Sequence, residues 1–148
     1  MNPLLVALLI VIFDQLSKYY ISHSLGLGMS IPVVPNIFHI TYILNAGAAF
    51  GIFANQRLLF IVIALLILGG VGYFYRKIPS TYNLFRFGLG LMAGGAVGNL
   101  IDRIATGYVI DFFDFRIWPI FNIADIAIVC GVTMMIVTIL FMKKKDEA

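Results

Sequence analysis

The sequence predicts an all-α membrane protein of four transmembrane helices, with a small β-rich element on its outer-leaflet side. Three observations predict it. Of the 148 residues, 61% are hydrophobic and 11% charged, with mean hydropathy +1.01, whereas a soluble domain carries about 25% charged residues. Lipid must therefore cover most of the chain. Apolar segments of near-constant length recur at residues 3–21, 57–75, 83–104 and 120–142, and about 20 helical residues make the ~30 Å of a hydrocarbon core. The basic residues also gather: Arg76 and Lys77, with Arg86 close by, join spans two and three, and Lys143, Lys144 and Lys145 end span four. The positive-inside rule puts both groups, and so both termini, in the cytoplasm. Residues 22–56 and 105–119 then face outward, and residues 1–148 are expected to form a single domain.

The first segment lacks a basic n-region and an A-x-A site and carries Asp14 and Lys18, so it is expected to be a retained span rather than a cleaved leader. Asp14 and Lys18 are four apart and share a helix face. They are either a salt bridge that lowers the insertion cost or groups that orient a site. In the first outer loop, Ile37 to Leu44 is β-branched and aromatic, as strands are. Pro32 and Pro35 precede it, and a glycine-rich turn from Asn45 through Gly47 to Gly51 follows. So long an apolar loop is expected to pack on something or to lie on the bilayer. Span two is nearly bare of polar groups. Span three carries Gly94 and Gly98, a small-xxx-small pair that lets helices approach. Asn99, Asp102 and Arg103 share a broad face of it at spacings of three and four. They are a polar cluster holding helices together, a set that binds substrate or positions catalytic acids, or both. Tyr108 to Phe115 reads as a short strand. Asn122 and Asp125 are three apart at the start of span four, where the helix dipole favours a carboxylate.

Asp111 and Asp125 are the most informative pair. A charge at membrane depth costs about 2.5–3.5 kcal/mol on insertion scales. On one continuous helix the two would stand about 21 Å apart. Pro119 and the strand-like segment from Phe112 to Trp118 argue instead that the chain turns back and brings the carboxylates together. Two close carboxylates do not readily both ionise. The pair then suits a base toward water and an acid toward a carbonyl. Asp114 and Arg116 read as solvated loop charges. The lone Cys130 lies mid-span without a nearby base and reads as filler. No HExxH, GxSxG or dinucleotide glycine fingerprint occurs. The formal charge of +3 comes with one basic run, at a helix end, and so points to topology rather than nucleic acid. From spacing alone three readings stand: a protease, a small transporter using its intramembrane charges for coupling, and a structural subunit packed through Gly94 and Gly98.

Five blocks in order decide among them. These are Asp14-Gln15 with Lys18; Asn45-x-Gly47-x-Ala49-Phe50-Gly51; Gly94-Gly95 through Gly98-Asn99 to Asp102-Arg103; Val109-Ile110-Asp111-Phe112; and Phe121-Asn122-x-Ala124-Asp125. With four spans, the chain resembles the bacterial lipoprotein signal peptidases (signal peptidase II) over nearly its whole length. The resemblance implies an intramembrane aspartyl endopeptidase of the bacterial cytoplasmic (inner) membrane. Its substrates would be prolipoproteins whose cysteine already carries diacylglycerol, cut on the N-terminal side of that cysteine. Asp111 and Asp125 correspond to the catalytic dyad. Asn45, Asn99, Arg103 and Asn122 correspond to polar substrate- and inhibitor-contacting positions. Asp14, Lys18 and Asp102 correspond to supporting residues, and the first outer loop to a small β-cradle. The resemblance further implies no metal or other cofactor, a membrane-lipid environment and inhibition by the cyclic peptide globomycin. Nothing in the sequence demands more than a monomer.

Overall fold

Four helices long and apolar enough to cross a membrane carry the chain: α1 (Pro3–Ser24), α2 (Arg57–Lys77), α3 (Asn83–Ala105) and α4 (Ile123–Asp146). Three strands complete it, β1 (Ser30–Val34), β2 (Phe38–Asn45) and β3 (Val109–Asp114). The computed structural model describes residues 2–47 and 52–146, with side chains to residue 141. The outward faces of the helices are apolar and exposed, as at Leu4, Leu58, Leu66, Val129 and Phe141, the surface expected of helices that cross a membrane.

α3 is the central helix, packed on α1, α2 and α4, and its glycines explain why. A Cβ at Gly90 would stand 2.6 Å from the Pro3 carbonyl oxygen, and one at Gly94 2.7 Å from Ile10 Cβ. One row of α3 thus lies directly on α1. A second row meets α4: a Cβ at Gly88 would reach 2.7 Å from the Gly131 carbonyl oxygen, and one at Gly95 would collide with that of Ala124. The expected Gly94–Gly98 pair is therefore part of one of two stripes. Val6, Leu91 and Ala127 fill the junction of the three helices. α2 buries no residue and leans on α3 from outside.

The sheet is antiparallel in the order β1-β2-β3. The sequence reading omits β1, which carries Pro32. β1 is an edge strand with an irregular register between Pro32 and Val34, where a missing N–H is tolerated. Phe112 of β3 packs with Ile21 and Leu25 at the end of α1, which seats the sheet on the helix bundle.

Candidate active site

β3 ends at Asp114, not at Trp118, and the chain reverses over the next six residues. Phe121 then pairs with Phe113, its N–H donating to the Phe113 carbonyl at 3.2 Å and its carbonyl accepting from Phe112 and Phe113. This is why α4 begins at Ile123 rather than at 120. The reversal delivers Asn122 to Asp111, and the Asn122 Nδ2 amide donates to Asp111 Oδ1 at 2.7 Å.

The start of α4 is a capping box. Asn122 Oδ1 accepts from the Asp125 N–H at 2.9 Å, while Asp125 Oδ2 accepts from the Asn122 N–H at 3.2 Å. A third free amide of that first turn, Ala124 N–H, donates to Asp14 Oδ1 of α1 at 3.0 Å. Asn122 thus holds one acid with its backbone and carbonyl oxygen and the other with its amide. The two aspartates that the sequence singled out face the same polar junction.

A buried charge cluster supports this junction. Lys18, 2% exposed, places its ammonium 2.8 Å from Asp14 and 2.9 Å from Asp102, and donates to Asn99 Oδ1 at 3.0 Å. Asn99 passes the contact on, its amide donating to Asp125 Oδ1 at 2.8 Å. Gln15 closes the ring through Asp14, Asp102 and the Gly98 carbonyl. The Asp14–Lys18 pair is therefore both a salt bridge and a brace for the acids. Gln15, named in the sequence only as part of the first block and given no role there, is a member of this ring, and its i, i+3 spacing from Lys18 puts it on the same face.

Asn45 at the end of β2 donates to Asp111 Oδ2 at 2.8 Å and accepts the Gly47 N–H at 2.9 Å. Arg103 donates to the Gly47 carbonyl at 3.2 Å, with its guanidinium 4.6 Å from the Phe60 ring centre of α2. Gly51 and residues 48–50 of the same turn lie outside the described residues. Asp111 is 1% exposed. Burial first, and then the charge of Asp125, push its pKa up to about 7 against the hydrogen bonds from Asn45 and Asn122 and the Lys18 charge.

Asp114 is not a solvated loop charge: it is 3% exposed. Burial raises its pKa, but bonds from Thr41 and from the Arg116 N–H and guanidinium outweigh this and leave it below the usual carboxylate range. Arg116 is half-exposed, with its guanidinium on Asp114. No sequence spacing marks Thr41 as the partner of Asp114, because only the β2–β3 pairing brings them together.

A cavity of about 300 Å³ opens over the pair. Asn45, Asn99, Arg103, Asp111 and Asp125 form its polar side, and Trp118, Pro119, Ile120, Ile128 and Val129 its apolar side. Val129 and Trp118 are more than half exposed, so the cavity adjoins the exposed apolar surface. Among the described residues, no three His, Cys, Asp or Glu side chains converge as a metal site would require.

A family model for signal peptidase (SPase) II matches residues 6–141. A lipoprotein signal peptidase of Moorella thermoacetica is 49% identical over 132 residues, covering 89% of this chain and 88% of its own. That of Clostridioides difficile is 41% identical over 146 residues, covering 97% and 98%. A solved bacterial membrane enzyme superposes with TM-score 0.91 at 37% identity, covering 97% of this chain and 90% of that one.

Proposed function

The chain belongs to the signal peptidase II family, membrane proteases of lipoprotein processing, and from that premise we propose that it cleaves diacylglyceryl-modified prolipoproteins by an aspartate dyad. The observation that carries the reading is Asn122, whose one side chain is bonded to Asp111 and, through the capping box, to Asp125. Below about pH 7 Asp111 keeps its proton, held there by burial and by the charge of Asp125. Asp125 takes a proton from water as the water oxygen attacks the scissile carbonyl, and Asp111 gives its proton to the carbonyl oxygen. The tetrahedral diol collapses as the C–N bond breaks. One proton passes from Asp125 to the departing amine and one from the diol back to Asp111, which restores the pair.

Asn45, Asn99 and Asn122 keep the carboxylates oriented through this cycle. Arg103 spends one N–H on Gly47 and has others to offer a substrate carbonyl. The apolar side of the cavity suits a substrate whose signal helix and acyl chains stay in the bilayer, with the cut on the N-terminal side of the lipidated cysteine. The site then stands near the outer face of the bacterial cytoplasmic membrane. A cyclic peptide of the globomycin type would compete for the same cavity.

The test is cleavage of a diacylglyceryl-modified prolipoprotein by purified wild type, Asp111→Asn and Asp125→Asn, with and without EDTA. Turnover by wild type that resists EDTA and vanishes in both folded variants is expected. Cleavage that survives either substitution refutes the dyad.

A further inference from the structure

The segment after β3 forms a wall of the cavity, through Trp118, Pro119 and Ile120. Its base is fixed by the Phe115 ring, which packs on Phe38 and Phe121. Beyond that ring the wall stands out from the molecule, with Ile117 94% and Trp118 61% exposed. Arg116, between Phe115 and Ile117, stands at φ 66°, a left-handed conformation that a non-glycine residue keeps only when its surroundings enforce it. The enforcing group is Asp114. It accepts from the Arg116 N–H at 2.8 Å and from the Arg116 guanidinium at 2.8 Å, and Thr41 Oγ donates to it at 2.8 Å.

Resting on the peptidase reading above, we propose that Asp114 is a positioning residue for peptide cleavage: anchored to β2 by Thr41, it locks Arg116 and so holds the Arg116–Pro119 segment as the fixed wall against which substrate is seated. The anchor is directional. Thr41 has one hydroxyl proton and gives it to Asp114. Ser30 therefore donates to Thr41 across 2.8 Å, and His39 Nδ1 donates to Ser30 across 3.0 Å. The other ring nitrogen, His39 Nε2, is buried without a hydrogen-bond partner among the described residues. Hydroxyls and carboxylate thus run in one direction across all three strands, from the edge of the sheet to the cavity wall. Asp114 bonds Thr41 and Arg116 rather than the dyad, so loosening it disturbs seating and leaves the acids in place.

Trp118 is the single tryptophan of the chain, so its fluorescence reports the wall without reference to turnover. Anisotropy and acrylamide quenching would be measured on wild type, Asp114→Asn, Thr41→Val and Thr41→Ser, followed by steady-state cleavage of a diacylglyceryl-modified prolipoprotein. Asp114→Asn and Thr41→Val are expected to lower the anisotropy and raise quenching. Both should raise KM about tenfold with kcat held within about twofold, the size of one lost charge-assisted hydrogen bond. Thr41→Ser, which keeps the hydroxyl, should match wild type. Unchanged Trp118 signals in Asp114→Asn and Thr41→Val overturn the proposal, as does a loss confined to kcat. Should Asp114→Asn fail to fold, the Thr41→Val and Thr41→Ser pair decides the matter. A wild type that does not cleave at all, with the Trp118 changes present, refutes the peptidase reading and leaves the latch standing.

Discussion

Asp111 is where pH acts on this molecule. An unfolded carboxyl of this type ionises near 3.8, and in the fold Asp111 keeps its proton up to about 7. Between those values the folded chain binds the extra proton, so this residue's contribution to stability falls as pH rises from about 4 to 7 and is level above that. Thermal unfolding in detergent across this range should show wild type losing stability relative to Asp111→Asn, and a constant gap would contradict the raised pKa. Turnover should decline as pH climbs through about 7, because the pair then loses the proton it gives to the carbonyl. Lys18 makes a second prediction. Its ammonium faces Asp14 and Asp102 in a buried setting, and removing one partner of a buried ionic cluster costs about 3–5 kcal/mol. Lys18→Met should therefore unfold at a markedly lower temperature than wild type, and an unchanged midpoint would show the cluster to be dispensable.

At the scale of the elements, contact between helices sets the geometry of the junction. A Cβ at Gly95 collides with the Ala124 carbonyl oxygen, beside the capped turn that carries Asp125, whereas one at Gly70 of α2 meets nothing within 4 Å. Gly95→Ala should cost about 1–3 kcal/mol by overpacking and should lower turnover by moving Asp125 away from Asn99. Gly70→Ala should be neutral or slightly stabilising, and equal effects of the two would remove the argument from close approach. The helices were legible because their signal is length and apolarity. α2 and α3 begin where the sequence places them, at Arg57 and Asn83. The start of α4 was not, because residues 120–122 read as apolar span but are claimed by pairing with Phe113. β1 was hidden by Pro32, which counts against a strand everywhere except at an edge.

For the whole molecule, four helices are long and apolar enough to cross a membrane, and the basic residues predict that both termini lie on the cytoplasmic side. In a Cys130→Ala background, Val33→Cys should react with a membrane-impermeant maleimide from outside intact cells, and Thr81→Cys only after permeabilisation. The opposite pattern would invert the topology. The acids and most of their partners could be read from the sequence, since Asp14 with Lys18, Asn99 with Asp102 and Asn122 with Asp125 lie at helical spacings. Contacts that cross between elements could not: Asp114 with Thr41 depends on strand pairing, and Asp14 with the Ala124 amide joins residues 110 apart in sequence. That last bond has a consequence for biosynthesis. The first helix to enter the membrane carries the carboxylate that completes the first turn of the last. A chain with only its first three helices inserted lacks the amide that this carboxylate bonds, so the polar junction is completed only when the last helix packs against the first.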